Sequence, residues 1–427
     1  MKRKIAVIVI FAMITLLCAC GGGRKVSQTE EYIPSNCKKL FDRIILENES
    51  GYYYDNWYLE CLRYYDKESG VDIPCCSKPE CIHDGNEYCV ATSNQYNVQT
   101  MGMYEGAVYA VMYGVQDDTL EFKLFRIEPD GSARSEVCTF KTLKNVGPAE
   151  ADYMDNVILH KGRAFVDYSY DYEDSDGTAV GKSYYGKVMI DLSTGKQKEI
   201  PLPDGLSQDD IIFIPREMRL DGDWVYTVIS TKEHKGYRCD VYRWNFVSGA
   251  YEKLDMPQLF SSYTVNDGVV YYTVVDKSNG ENNTVQIYRY IPETGVTEEF
   301  TERIPEERII EPYLIGSNNN APEVTTDRDY IYYLNYDRHG IIRNDRDSRY
   351  YVQPEGIIFS FEGEELARFT LPIAPTSDFD GYHINIVNGR VYYYGNRGTV
   401  YGCLVEDILA GKEEWKEVYT PVIGDKL

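Results

Sequence analysis

Basic charge, histidine and long apolar segments are all scarce in this 427-residue chain. It has 44 lysines and arginines against 68 aspartates and glutamates, which gives a formal net charge of -24. Basic side chains hold a nucleic acid through its phosphates, so this charge argues against a nucleic-acid partner. Five histidines leave few candidates for a general base. The sequence contains no Gly-x-Ser-x-Gly, His-Glu-x-x-His or P-loop motif, and no catalytic residue is assigned from it.

The main apolar run lies at the start of the chain. A basic segment, residues 1–4, precedes thirteen apolar residues from Ile5 to Leu17. A membrane-spanning helix needs about twenty residues, so the run fits the hydrophobic region of a signal peptide. It ends in Leu-Cys-Ala-Cys followed by three glycines, which matches the bacterial lipobox. We predict a lipoprotein signal peptide over residues 1–19 and a lipidated Cys20. The alternative is an ordinary secretory signal that holds two cysteines.

The predicted lipid anchor sets an expected location. Residues 20–36 are predicted to be the lipidated cysteine and a flexible tether, because glycine and small polar residues dominate its start. An acidic body is repelled by anionic lipid, so the acyl chains would provide the attachment. The expected location is the outer face of a bacterial cell membrane, with the membrane as a partner through the lipid.

A tyrosine-rich repeat runs along the rest of the chain, which has 40 tyrosines against 14 phenylalanines and 4 tryptophans. The segment Asp221-Gly-Asp-Trp-Val-Tyr-Thr-Val, a turn followed by an alternating strand, recurs as Asn266-Asp-Gly-Val-Val-Tyr-Tyr-Thr-Val. Equivalent turn positions fall at 51, 106, 162, 222, 268, 329 and 389. A four-stranded meander must stack on neighbours to bury both faces. We therefore predict an all-β chain over residues 37–427, a β-propeller of about seven four-stranded blades, with six or eight as alternatives.

These features together resemble a known group of proteins. The lipobox, the repeated Gly-x-x-Tyr-Tyr units and the run Cys76-Ser-Lys-Pro-Glu-Cys-Ile-His are similar to clostridial-type β-propeller lipoproteins of unknown function. That group has a TolB-like or low-density-receptor-like propeller. The resemblance implies a fold and a surface location, and it implies no activity.

A cysteine cluster carries the clearest candidate chemistry. Cys76, Cys81, His83 and Cys89 place three thiols and one imidazole within fourteen residues. Thiolates and a neutral imidazole suit a closed structural zinc site. The alternative is a loop held by disulfides, which an exported compartment favours. Cys61 and Cys75 are candidates for an additional disulfide.

The long connections between strands are predicted to gather on one face of the propeller, and we expect the Cys/His loop on that face too. Rigid scaffolds present binding sites on such loops. The candidate binding residues share an aromatic or cationic character and are Tyr168, Tyr170, Tyr172, His234, Arg238, Tyr336, Arg338, His339 and Arg346. The three tyrosines at period two also fit an extended hairpin with stacked side chains, and the arginines fit a solvated loop.

The sequence favours a cell-surface lipoprotein with a non-catalytic binding or scaffolding role. Its expected partner is a protein, a peptide or a glycan, because tyrosine-rich surfaces give large rigid contact areas. The alternative is an extracytoplasmic glycan-active enzyme, a hydrolase or lyase, since propellers host both classes. An enzyme should place paired carboxylates or an open metal site at the channel mouth, whereas a binder should present a patch without them.

Overall fold

The computed structural model describes residues 45–56, 61–83, 88–92, 97–116, 119–144, 157–173, 179–213, 218–233, 236–257, 260–276, 283–306, 323–335, 342–343, 349–350, 355–371, 382–387, 389–395 and 399–420. The expected signal peptide, Cys20 and the tether lie outside these residues. None of the helices in the described part of the chain has the length and hydropathy needed to cross a membrane.

The described residues form seven antiparallel blades, which confirms the predicted propeller. Blades 1 to 3 comprise β1 (Ile45–Glu47), β2 (Gly51–Asn56), β3 (Cys61–Asp66), β4 (Asp72–Pro74), β5 (Asn97–Tyr104), β6 (Ala107–Gln116), β7 (Thr119–Ile127), β8 (Arg134–Lys144), β9 (Val157–His160), β10 (Arg163–Glu173), β11 (Ala179–Asp191) and β12 (Gln197–Glu199). Blades 4 and 5 comprise β13 (Ile211–Phe213), β14 (Arg219–Asp221), β15 (Trp224–Glu233), β16 (Gly236–Asn245), β17 (Tyr251–Lys253), β18 (Tyr263–Asn266), β19 (Val269–Asp276), β20 (Asn283–Ile291), β21 (Val296–Glu299) and β22 (Ile304–Glu306). Blades 6 and 7 comprise β23 (Glu323–Thr326), β24 (Ile331–Asn335), β25 (Ile342–Arg343), β26 (Arg349–Tyr350), β27 (Glu355–Phe359), β28 (Glu365–Thr370), β29 (Tyr382–Val387), β30 (Arg390–Gly395), β31 (Val400–Leu404), α1 (Val405–Leu409) and β32 (Lys416–Tyr419).

Most blades are simple four-stranded meanders, and three carry additions. In blade 4 both β13 and β14 pair with β15, and in blade 5 β22 pairs with β20 beside β21. In blade 6 the separate hairpin β25–β26 lies between β24 and β27 in sequence. The first strands of successive blades contact one another, as in β5 with β9 and β18 with β23, so they form the inner wall of the ring.

Tight turns at the repeat positions set the register of the blades. Five of the predicted turns contain a glycine with positive φ: Gly106, Gly162, Gly222, Gly268 and Gly389. In the other two a side chain makes the turn. The Asn48 carboxamide oxygen accepts the N–H of Gly51 at 2.7 Å, and an Asp327 carboxylate oxygen accepts the N–H of Tyr330 at 2.8 Å.

The core lies between blades rather than inside any one of them. Strand β7 shows why, because its residues alternate between buried and half-buried positions along most of its length. Phe122 and Leu124 of blade 2 meet Val166 and Ile190 of blade 3 in one buried apolar cluster. Each such side chain contributes about 1.5–3 kcal/mol when it is buried. The seven blades are therefore held by their neighbours.

Two opposite faces follow from the meander. We call the face with the β1–β2 and β3–β4 type turns the turn face. We call the face with the β2–β3 type connections and the links between blades the loop face. Since each blade is an antiparallel meander, this arrangement is the same for all seven.

The ring closes between blades 7 and 1 through side chains. Blade 1 contains only β1–β4 and blade 7 only β29–β32, so no described sheet combines strands from the two ends of the chain. The contact, which we call the seam, consists of tyrosines. Tyr419 of blade 7 lies 5.1 Å, centroid to centroid, from Tyr52 and 5.6 Å from Tyr54 of blade 1. The Tyr392 hydroxyl donates a hydrogen bond to the Glu47 carboxylate across the seam.

Candidate functional site

The structure brings the four predicted ligands together. The Sγ atoms of Cys76, Cys81 and Cys89 and a ring nitrogen of His83 all lie within 4.8 Å of one another. The Cys89 Sγ is 3.6 Å from the His83 Nδ1. Cys89 is 1% exposed, and the other three side chains are half-buried. We call the described residues 75–83 and 88–92 the Cys/His lobe. These four side chains could hold a metal ion.

Backbone groups in the lobe are directed at the sulfur atoms. Burial opposes ionisation of Cys76, but hydrogen bonds from the backbone of Val90 and Lys78, and then from the Cys81 and Cys89 side chains, together outweigh it and lower the pKa of the Cys76 thiol. Burial and then the neighbouring sulfurs of Cys89 and Cys76 raise the pKa of Cys81 to about 11, against a hydrogen bond from the His83 backbone. Crowded thiolates repel one another, so a cation is needed for all three to ionise together.

Both ends of the lobe pair with the start of β3, next to the loop face where we expected the lobe, and its first residues also reach the turn face of blade 2. The Ser77 N–H donates to the Gly131 carbonyl at 3.0 Å, and Gly131 belongs to the β7–β8 turn on the turn face. The outer strand of blade 1 is short, since β4 ends after three residues at Pro74. Cys75 still pairs with β3, and the chain then crosses to blade 2 at Ser77.

The two ends of the lobe both pair with β3. The Cys75 N–H donates to the Leu62 carbonyl, and the Leu62 N–H donates to the Ala91 carbonyl, each at 2.8 Å. Arg134, at the start of β8, donates to the Thr92 carbonyl at 3.0 Å. Burial lowers the pKa of Arg134, and the nearby sulfurs of Cys89 and Cys76 oppose that shift. The lobe thus completes the outer edge of blade 1 and contacts a cation of blade 2.

The candidate disulfide partners Cys61 and Cys75 are buried and are free thiols in the structure, as are the other described cysteines. Burial raises the pKa of Cys61 to about 11 and that of Cys75 to about 12. Thiols of such high pKa in apolar surroundings are poorly reactive.

A second feature is a cleft between blades 3 and 4 with a volume of about 410 Å³. We call it the blade 3/4 cleft. Its lining residues come from β10, β11, β12, β15, β17 and the connection between the two blades: Tyr168, Tyr184, Tyr185, Gly186, Lys187, Glu199, Ile200, Pro201, Leu202, Gln208, Thr227, Ile229 and Tyr251.

Local contacts hold the walls of the blade 3/4 cleft in place. The Gln208 side chain, in a 3₁₀ turn over Gln208–Asp210, donates to the Tyr185 carbonyl at 2.8 Å and accepts the Tyr185 N–H at 3.3 Å. These two hydrogen bonds have the pattern of a pairing between strands, and they hold the connection between blades 3 and 4 against β11. The Lys187 ammonium donates to the Asp167 carboxylate at 2.5 Å, and both side chains are buried. Burial raises the pKa of the Tyr251 phenol, so that group is neutral.

The described lining of the cleft contains more aromatic and neutral hydrogen-bonding groups than charged ones. Its described lining contains one carboxylate, Glu199, and no histidine, cysteine or serine. The Glu199 side chain is 65% exposed at the edge. The usual mechanism of glycoside hydrolysis needs a pair of carboxylates. The lining instead offers flat phenol rings and amide, ammonium and hydroxyl hydrogen-bonding groups.

The structure places the sequence-predicted binding residues in different surroundings. Tyr168 and Tyr170 are 4% and 5% exposed, in the core between blades 2 and 3, because both stack on Tyr184 of the neighbouring strand. Their positions agree with the interpretation of this segment as an extended hairpin with stacked side chains, and not with an exposed binding surface. Arg238 is partly exposed and its Nε donates to Asp240 at 2.8 Å. Tyr172 lies in β10, but its side chain is outside the described part of the chain. The described residues exclude His234, Tyr336, Arg338, His339 and Arg346.

Sequence reasoning missed several residues of both features. Arg134 contacts the lobe from 42 residues away in sequence, and no local motif marks it. Tyr185, Lys187 and Gln208 meet only when blade 3 folds beside its connection to blade 4. The adjacent tyrosines of β11 were the available signal for an aromatic wall.

Known structures share the fold. A prolyl endopeptidase structure has a TM-score of 0.51 and 11% identity, over 90% of this chain and 49% of that chain. Puromycin hydrolase has a TM-score of 0.50 and 12% identity, over 94% of this chain and 57% of that chain. An oligogalacturonate lyase from Vibrio parahaemolyticus has a TM-score of 0.42 and 11% identity, over 72% of this chain and 76% of that chain.

At these identities the likeness shows the propeller fold alone. The chain spans about half the length of the prolyl endopeptidase that it matches. No family model matches the chain, and no curated protein matches its sequence.

Proposed function

We propose that this chain is a lipid-anchored binding propeller of the bacterial cell surface that takes a short neutral glycan in the blade 3/4 cleft. The observation that carries the proposal is the lining of the cleft, whose described residues combine tyrosines with hydrogen-bonding groups and include one carboxylate. A volume of about 410 Å³ is in the range of small-molecule sites.

Aromatic and amide groups suit a sugar ligand. Phenol rings pack on the apolar faces of sugar rings, while their hydroxyls and a side-chain amide exchange hydrogen bonds with sugar hydroxyls. The net charge of -24 disfavours a polyanionic ligand, because the field of the whole protein repels it. A neutral oligosaccharide agrees with both the lining and the charge.

Replacing Tyr185 by alanine tests the cleft. We expect the affinity for the bound oligosaccharide to fall about tenfold or more, since an aromatic anchor in a small site carries much of the binding energy. The full-length chain in detergent would be titrated calorimetrically with cellotetraose, xylotetraose and chitotetraose, and with tetragalacturonate as the acidic comparison.

The matched control is Tyr288→Ala. Tyr288 is also half-buried on the third strand of its blade, but it packs between blades 4 and 5. The affinity of the Tyr288→Ala variant for the oligosaccharide should stay within about twofold of that of the parent protein. No binding of any neutral probe, or equal loss in both variants, would contradict the proposal. Release of shortened products from a probe would favour the enzymatic alternative.

The anchor is tested separately at Cys20. In cells that express the full chain, Cys20→Ser should move the protein from the membrane fraction to the soluble fraction and abolish incorporation of labelled fatty acid. The reason is that acyl chains contribute about 0.8 kcal/mol per buried methylene, while the acidic body adds no attraction. Cys18→Ser is the control and should remain anchored. Retention of the Cys20→Ser protein on the membrane would refute the anchor.

A further inference from the structure

The geometry of the Cys/His lobe matches tetrahedral metal coordination. Zinc–sulfur bonds of about 2.3 Å and zinc–nitrogen bonds of about 2.0 Å place neighbouring ligand atoms roughly 3.5–3.8 Å apart. The Cys89 Sγ and the His83 Nδ1 are 3.6 Å apart, and all four ligand atoms lie within 4.8 Å of one another. One pair of ligand atoms therefore already has the spacing of a zinc tetrahedron, and the full set is close enough to surround a single ion after small side-chain shifts.

A disulfide explains this arrangement less well. One bond between two of the sulfurs, about 2.0 Å long, would leave the third thiol and His83 without a role. It would also not account for an imidazole nitrogen directed at Cys89. A metal ion uses all four groups at once.

The ligand chemistry selects the metal. Thiolate and imidazole ligands suit zinc and disfavour magnesium and calcium, which prefer oxygen. Three thiolates and one neutral imidazole around Zn²⁺ leave one net negative charge. Arg134, which donates to the lobe carbonyl of Thr92, brings a positive charge beside it. Four protein ligands leave no open position, so the site is structural.

We propose that Cys76, Cys81, His83 and Cys89 bind one zinc ion, which fastens blade 1 to blade 2. Binding releases the protons of the coordinating thiols to solvent and involves no oxidant, whereas a disulfide would require removal of two electrons. The proposal is independent of what the blade 3/4 cleft binds.

The position of the lobe explains why a clamp is needed there. Strands β1 and β4 have three residues each, so blade 1 is small. Cys75, Cys89 and Val90 of the lobe share one buried cluster with Leu46 of blade 1 and Met101 of blade 2. The zinc ion would hold this buried apolar cluster against both blades.

Metal analysis of the full-length chain, purified in detergent without chelator, is the first test. We expect about one zinc per chain, and thiols of the lobe that react with a thiol reagent only after chelation. Less than about 0.2 zinc per chain, with the lobe sulfurs oxidised, would overturn the proposal in favour of disulfides.

Two cysteine variants form a matched pair. Cys89 and Cys403 are each 1% exposed, but Cys403 lies in blade 7 far from the lobe in sequence. Cys89→Ser should lose the zinc, and Cys403→Ser should keep it. Equal zinc content in both variants would overturn the assignment.

Variants at the half-buried His83 keep the test informative if Cys89→Ser fails to fold. His83→Ala should bind zinc at least about tenfold more weakly, and His83→Cys should retain about one zinc per chain. In hydrogen exchange, chelation of the parent should deprotect amides of β2 and β3 and leave those of β15 and β16 unchanged. If chelation changed hydrogen exchange in no blade, or changed it equally in all blades, the proposal that zinc fastens blade 1 to blade 2 would be contradicted.

Discussion

Replacing Tyr419 by alanine is expected to lower the free energy of unfolding by about 3–5 kcal/mol, measured by urea denaturation. Tyr419 is 2% exposed, and its ring lies within 5.1–5.6 Å, centroid to centroid, of Tyr52, Tyr54 and Tyr65 of blade 1. Since no described sheet joins blades 7 and 1, these contacts are the main apolar contents of the seam. Removing one ring leaves a cavity that the rigid blades cannot fill.

The location of the effect distinguishes seam opening from general loss of packing. In Tyr419→Ala, hydrogen exchange should accelerate in β2 and β31 and remain slow in β15 and β16. The control is Tyr272→Ala, which removes a buried ring in blade 5 that stacks on Tyr288, and its seam amides should stay protected. A loss of less than about 1 kcal/mol in Tyr419→Ala would show that the seam does not depend on this side chain.

Replacing Gly131 by alanine should destabilise the protein by about 3 kcal/mol or more. Gly131 has φ of 67°, and a Cβ there would lie 2.8 Å from the Cys76 nitrogen and 2.9 Å from the Cys75 carbonyl carbon. Both contacts are with backbone, which cannot rotate away. The Cys/His lobe would have to move off blade 2, so the change in the free energy of unfolding should come with weaker zinc retention.

Gly249→Ala separates the steric contact from the backbone conformation. Gly249 occupies the corresponding turn of blade 4, with φ of 81°, and a Cβ there meets nothing within 4 Å. Its replacement should cost about 1 kcal/mol, which is the usual penalty for a left-handed alanine. Similar losses in the two variants would mean that the lobe yields easily and is not held against Gly131.

The sequence predicted the fold well because blade structure is local. Tyrosine alternation and a turn recurring at positions such as Gly106 and Gly268 specify each hairpin from neighbouring residues. Where glycine is missing, the side chain of Asp327 makes the turn, which is also a short-range signal. The seven-bladed count followed from these turns.

Features that depend on contacts between blades could not be predicted in the same way. Tyr168 has the pattern of a displayed aromatic, yet it packs on Phe140 of blade 2, far from it in sequence. The contact of Ser77 with the Gly131 turn of blade 2 joins residues that are far apart in sequence, and nothing in the Cys/His motif encodes it. The pattern of cysteines and histidine did predict which four side chains lie close together, because all four fall within one short segment.

Each blade is built from one continuous stretch of chain, and this has a consequence for how such a protein can evolve. Duplicating or deleting the stretch of a single blade would leave every other sheet with all of its strands. A propeller whose last sheet combines both termini must preserve that shared sheet through any such event. Here a new blade would need only apolar faces that match its two neighbours. Gene duplication can therefore change the number of blades one at a time, and the tyrosine seam loses one of its two partners only when the first or last blade is the one that changes.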